Sequence, residues 1–200
     1  MTMRYLLVVL ALAALAIGCG GGQTVTRLDP GGTTDLSGKW NETDARLVAE
    51  EMIADALARP WLMNFVEKNG EKPVVTVGTI RNKTNEHIDT EVFTADFERE
   101  LINSGNVRFV GSHDERYEVR EERQDQAEFA SEETRKLLHD ELGADFILLG
   151  AIKTITDAVE GRSTVFYQTD LELINIETNE KVWIGTKKIK KGIAQSGTKW

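Results

Sequence analysis

The chain has 200 residues, of which 40 % are hydrophobic and 28 % charged, with a formal charge of −9. That length holds one domain plus appendages, and the composition is that of a globular chain rather than a disordered or fibrous one. The negative balance argues against a binder of phosphate backbones, which presents a basic face, and a single cysteine, Cys19, excludes a disulfide within the chain.

Residues 1–18 read as a signal peptide. Arg4 supplies the positive start, and Tyr5–Ile17 is an apolar run too short to span a bilayer with ease but suited to a secretory signal. The run ends in Ala16-Ile17-Gly18-Cys19, which resembles a bacterial lipobox with Ala16 where leucine is usual. On that reading Cys19 is lipidated and becomes the new N-terminus; the plain alternative is a secretory signal with an incidental cysteine. Gly20, where enteric bacteria place an aspartate for inner-membrane retention, points to the outer membrane. Residues 19–36 then form a lipidated tether rich in glycine and threonine, which cannot bury a core. Such a tether reaches at most about 55–60 Å extended and averages about 20–25 Å as a coil.

Residues 37–200 read as one globular domain. Asp44 or Thr43 caps a helix from Ala45 to about Ala58, with Val48, Met52 and Ala56 beside Ala49, Ile53 and Leu57 as its apolar stripe and Glu50, Glu51 and Asp55 toward water. Pro60 ends it; Trp61, Leu62 and Phe65 form an apolar knot, and Glu67–Lys72 a loop. Val74–Ile80 reads as a strand buried on both faces, followed by a polar loop, Arg81–Asn85. Asp89 or Thr90 caps a helix lined by Phe93, Phe97 and Leu101 and closed by Gly105, and Val107–Val110 is a short strand that completes a βαβ unit.

Asp114–Phe129 is a highly charged surface helix with a break expected around Gln124-Asp125-Gln126. Ser131 caps a further helix to Glu141, with Leu137, Leu138 and Leu142 apolar and Glu132–Lys136 as an i,i+4 pair. The apolar run Phe146–Leu149 between Gly143 and Gly150 predicts a central strand buried on both faces, extending to about Thr156, with Gly150 marking a close approach or a bulge. A turn at Glu160-Gly161-Arg162 leads to a strand from Ser163 to Ile176, a turn at Glu177–Glu180 to a last strand from Lys181 to Lys191. In that strand Val182, Ile184, Thr186 and Lys188 share one face, and Trp183, Gly185 and Lys187 the other. The fold class is therefore α/β (α+β): a mixed sheet of about four to five strands, parallel at the front and an antiparallel meander at the C-terminal end, flanked by helices.

The residues carry no sign of catalysis. The glycine cluster at 20–22 lies in the tether and makes no phosphate loop, Cys19 is spent on lipid, and no serine sits in a Gly-x-Ser-x-Gly turn. His113-Asp114 and His139-Asp140-Glu141 are adjacent pairs that point apart on a helix and hold no metal between them. No cofactor is called for, and a binding role is the better reading. The candidate contact residues are Arg81, Asn82, Lys83 and Thr84, at the end of a strand where open α/β sheets present ligands, and Arg116, Arg120 and Arg123 on the charged helix. Lys187-Lys188-Ile189-Lys190-Lys191 is a further basic run, also explained as charge that protects an edge strand from aggregation.

Several of these stretches resemble one family. Gly38–Asp44 with Leu47–Met52 and Arg59-Pro60-Trp61-Leu62 is similar to the opening of the LpoB-type penicillin-binding protein activators. Val77–Thr84, Leu101–Gly105, Gly143-Ala144-Asp145-Phe146, Ile176-Glu177-Thr178 and Glu180-Lys181-Val182-Trp183 follow in the same order. The resemblance covers 37–191 and implies a TolB N-terminal-domain-like fold and a non-enzymatic outer-membrane lipoprotein. Its domain would dock on a class A penicillin-binding protein and raise glycan polymerisation and crosslinking. Enterobacterial members carry a long proline-rich tether, whereas this one is short with Pro30 alone. An alternative from another class is a structural subunit of an envelope or secretion assembly, like the curli-channel lipoproteins, which needs membrane strands for which Ser163–Thr169 is the one weak candidate. A lipoprotein hydrolase lacks a nucleophile or metal cluster.

Overall fold

The computed structural model describes residues 25–134 and 141–194. The signal segment, Cys19 and the body of the helix expected over 131–141, with its Glu132–Lys136 pair, lie outside the described residues. The chain forms two compact units, Met1–Gly32 and Thr33–Trp200. In the first, the described residues hold a turn in which Gly31 and Gly32 donate to Asp29. The second carries the fold.

Its first helix, α1 (Glu42–Leu57), buries Val48, Ala49, Met52, Ile53 and Ala56, the expected stripe. It starts three residues earlier than the sequence suggests. Asn41 is the cap, its side chain accepting from the amide of Asp44, while the Asp44 carboxylate accepts from the amide of Asn41 at 3.0 Å. This reciprocal pair satisfies two otherwise orphaned donors and turns Asp44 inward. Pro60 does not merely end a helix; it begins α2 (Pro60–Asn69), where its missing N–H costs nothing. The loop expected at Glu67–Lys72 is thus helical through Asn69. Trp61 and Phe65 of α2 both meet Phe146 edge to face, with ring centroids 5.1 and 5.4 Å away.

The sheet has five strands in the order β2-β1-β3-β4-β5. Strand β1 (Val74–Lys83), helix α3 (Thr90–Asn103) and β2 (Arg108–Phe109) make the parallel βαβ unit, with Asp89 capping α3 through the amide of Glu91 at 3.0 Å. Phe93, Phe97 and Leu101 of α3 are buried as expected. A charged helix, α4 (His113–Phe129), buries no residue and runs unbroken through Gln124–Gln126, contrary to the expected break. Its regular i,i+4 polar pairing, such as Gln126 with Glu122 at 2.9 Å, carries it through that stretch. Strands β3 (Phe146–Val159), β4 (Arg162–Asn175) and β5 (Lys181–Ala194) form the antiparallel meander.

Strand β3 is the centre of the sheet, parallel to β1 and antiparallel to β4. Burial on both faces is not what it shows. Phe146 and Leu148 are buried under the helices, whereas Ile147 and Leu149 are half-buried, because α1, α2 and α3 all pack on the same face. Strand β1 is buried on both faces from Val74 to Val77 and then shifts register against β3 between Val77 and Ile80. The extra residue of this bulge returns Ile80 to the core and sends Arg81 and Lys83 to the opposite, outer face. Gly150 pairs with Ile80 where the bulge closes, and a Cβ there would meet the Leu171 side chain and stand 2.7 Å from the Asp170 carbonyl oxygen. In β5, Trp183 and Gly185 face the helices and Ile184 faces out, as the alternation implies. Val182 departs from it: a register shift against β4 leaves it packed on the core side.

The end of β5 is pinned by Lys191, which is buried rather than an exposed edge lysine. Its Nζ donates to Asp44 at 2.6 Å, to Asp35 at 2.6 Å and to the carbonyl of Lys39 at 3.0 Å. The segment 34–41 is thereby strapped over the sheet. Trp40 stacks edge-on against Phe93 and Tyr167, its amide donates to Glu86, and Tyr167 Oη donates to the same carboxylate at 2.6 Å. Burial and the Glu86 hydrogen bond push the Tyr167 hydroxyl well above its usual pKa. Gly38 adopts φ +70°, and any Cβ there would run into Ile193.

Two outcomes follow. Lys191→Ala removes one partner of a buried pair and is expected to cost about 3 kcal/mol in urea unfolding. Burial opposes the charge on Lys191, but its bonds to Asp35 and Asp44 raise its pKa, so its contribution is present below the lysine value of the unfolded chain and lost as pH rises through the folded one. The hydrogen bonds from Lys191 and Asn41 lower the pKa of Asp35, so that contribution is lost as pH falls through its folded value. The deficit of the variant is therefore largest near neutral pH and shrinks in both directions. Gly150→Ala overpacks the β3–β4 contact and is expected to cost about 1–3 kcal/mol by the same measurement.

Candidate docking surfaces

Arg81, Asn82 and Lys83 are not in a loop. They continue β1 and pair with Ala151, Ile152 and Lys153 of β3, which supplies the backbone partners a loop would lack. Arg81 and Lys83 are exposed. Asn82 and Thr84 are committed to the turn that follows: Asn82 donates to the Glu86 carbonyl at 2.8 Å and accepts from the Thr84 amide and hydroxyl at 2.9 and 2.7 Å. These two residues build the loop that presents Glu86 to Trp40 and Tyr167, and their polar groups are satisfied within it.

Arg120 and Arg123 converge on one acid, and Arg116 acts on it through its charge. Arg120 holds Glu141 with two hydrogen bonds of 2.7 Å, and Arg123 reaches it at 3.3 Å. The Arg120 bonds hold the Glu141 carboxyl below the usual carboxylate range against partial desolvation, and the charges of Arg123 and Arg116 add to the effect. The Arg120 and Arg123 pair ties α4 to the segment that leads into β3. No hydrogen bond or ion pair joins it to the Arg81–Thr84 group among the described residues. His113 and Asp114 touch at 3.2 Å but are both well exposed.

The motif Gly143-Ala144-Asp145-Phe146 proves to be a clamp. Asp145 accepts from the Val74 amide through its side chain at 2.8 Å, donates its own amide to the Val74 carbonyl at 2.8 Å, and accepts from the Ile176 amide at 2.9 Å. One residue thus fixes the start of β1, the start of β3 and the end of β4. In the turn that follows, Asn175 accepts from the Thr178 amide at 2.9 Å, and Asn179 takes a left-handed φ of 62°. Beside this clamp lies a cleft of about 720 Å³, lined by Trp61, Phe65, Lys68, Phe146, Glu177 and Lys181 among others. It sits at the opposite end of the sheet from Arg81–Thr84 and mixes both charge signs. Among the described residues no group of three or more His, Cys, Asp or Glu gathers to hold a metal, and no helix is long and apolar enough to cross a membrane.

A family model described as peptidoglycan-synthase activator LpoB matches residues 44–189. The chain belongs to that family. The match runs from the first turn of α1 to the greater part of β5 and takes in the Asp145 clamp, whereas Lys191 and the strap over 34–41 lie outside it. No curated relative matches the chain. Among solved structures, the LpoB C-terminal domain from Escherichia coli is similar at 16 % identity over 65 % of this chain and 93 % of that one, with a TM-score of 0.35. A lipoprotein from Neisseria meningitidis is similar at 13 % identity over 63 % and 88 %, with a TM-score of 0.37. A PelC dodecamer from Paraburkholderia phytofirmans is similar at 17 % identity over 63 % and 76 %, with a TM-score of 0.35.

Membership in the LpoB family places the protein in a regulatory family rather than a catalytic one. Within the resembling motifs Asp145 and Trp183, whose Nε1 donates to Asp55 at 2.9 Å, are structural, as is the neighbouring Asn175. Asp55, expected to face water, is half-buried for that reason, and the bonds from Arg59 and Trp183 lower its pKa. Asp145→Ala strands the buried Val74 amide and is expected to cost about 1–3 kcal/mol of stability. Partner affinity, measured on the folded fraction by calorimetry, should stay unchanged.

Proposed function

We propose that this protein is an outer-membrane lipoprotein, anchored through Cys19 and facing the periplasm, that docks on a class A penicillin-binding protein and raises its synthesis of peptidoglycan. The observation that carries the reading is the LpoB family match over 44–189, which spans the folded unit almost from end to end. The sequence of the first nineteen residues supports the lipid anchor, and the glycine-rich segment after it supports a tether between lipid and domain. In physical terms an activator of this kind binds the active state of the synthase more tightly than the resting state and shifts the population toward it. The protein then needs no reactive group of its own, only a surface. The family match does not favour the reading as a subunit of a secretion assembly.

The direct test adds the lipid-free protein to the host's purified class A synthase and follows glycan polymerisation with labelled lipid-linked precursor. The expected result is a saturable rise in rate with a matching binding isotherm. An unchanged rate with no detectable binding would contradict the proposal.

A further inference from the structure

The outer face of the sheet, opposite α1, α2 and α3, carries a concentration of positive charge that the sequence order hides. The strand registers place Lys83, Lys153, Gln168 and Lys188 side by side in one row across β1, β3, β4 and β5. The row before it is Arg81, Ala151, Asp170 and Thr186, and the row after it Ile155, Phe166 and Lys190. Neighbouring strands lie about 4.8 Å apart and same-face rows about 6.6 Å apart, so these residues form one contiguous patch. Five cations thus surround a half-exposed Phe166 and an exposed Ile155 on a protein whose net charge is −9.

Pairing within the fold does not account for this charge. Asp170 takes Lys153 at 2.8 Å and is further held by Gln168 and Thr186, each at 2.8 Å. Among the described residues Arg81, Lys83, Lys188 and Lys190 form no ion pair. Like charges placed directly opposite on a sheet are destabilising, and Lys83 stands directly beside Lys153. Protection of edge strands explains charge on β5 and on the end of β1, which β2 flanks only at Val74 and Val75, but not Lys153 on the interior strand β3 or the gathering of all five cations on one face around Phe166.

We infer that this outer face is the docking surface for an acidic protein surface on the synthase, with Phe166 as the apolar anchor and Arg81, Lys83, Lys188 and Lys190 as its basic rim. The inference rests on the function proposed above. An aromatic centre ringed by charges that steer and orient is the anatomy of a specific protein interface. The fixed hydrogen-bonded group of Asp170, Gln168, Lys153 and Thr186 adds positioned donors and acceptors at its middle. Three carboxylates on the same face, Asp157, Asp170 and Glu172, set it apart from a surface made for an anionic bilayer.

The test uses the full lipid-free chain and the purified synthase. Lys83→Glu with Lys188→Glu should weaken binding on the order of tenfold or more, Phe166→Ala should do the same, and wild-type affinity should fall steeply with salt. Lys68→Glu, on α2 at the other side, should leave affinity unchanged, and thermal unfolding of each variant checks the fold. If the wild type binds and the charge reversals bind equally well, the inference fails while the function stands. If the wild type does not bind the synthase at all, both fail. If the reversals instead abolish sedimentation with phosphatidylglycerol vesicles and spare the synthase, the face is a membrane contact and the inference is overturned.

Discussion

The structure depends on the pairing of β3 with strands of opposite sense on its two sides. Its parallel edge receives β1, which brings α3 and β2 with it, and its antiparallel edge receives β4 along the whole strand. Asp145 sets both registers at once, because its side chain and backbone hold Val74 on one side and Ile176 on the other. A one-residue slip on either side would turn the buried set outward. From that fixed origin the alternation of β4 and β5 follows, and with it the line of buried side chains Leu171, Leu173 and Trp183 on which α1 rests.

At the far end of the sheet the closing interaction is ionic. Lys191 comes from the last described strand, Asp44 from the first turn of α1, and Asp35 from the strap before it. A hydrophobic contact would close the core here equally well in energy. The ion pair instead fixes which carboxylate the strand meets, and so fixes the strap's course over Tyr167 and Trp40. The fold thus has one clamp at each end, Asp145 below and Lys191 above, with the apolar layer between them.

Much of this was legible in the sequence. The βαβ unit, the central place of Phe146–Leu149 and both hairpins follow from local period and turn residues, which are short-range signals. What was not legible depended on distant partners. Lys191 reads as one more edge lysine until Asp44 and Asp35, some 150 residues away, are placed against it. Residue preference points to Asp44 or Thr43 as the cap of α1, but Asn41 with Asp44 three residues on forms the reciprocal pair that wins. Leu149 was expected to be buried because four apolar residues run together, and only the one-sided helix layer shows why it is not. The bulge in β1 did leave a trace: Val77 and Ile80 are both buried at a spacing that strict alternation forbids. That spacing decides that Arg81 and Lys83 face out, where they join lysines from three other places in the chain. Arg120 and Arg123 of α4, equally prominent in the sequence, are instead drawn to Glu141.

A chain with an acidic total and one basic face is arranged for oriented encounter, since the rest of its surface repels what that face attracts. This joins the family assignment to a particular side of the molecule. The most direct measurement is amide chemical-shift mapping of the isotope-labelled protein on titration with the periplasmic part of the synthase. The account predicts that the largest changes fall on the outer-face rows through Lys83, Lys153, Phe166 and Lys188. Changes confined to α1 and α2, or to the cleft beside Phe146 and Lys181, would contradict it.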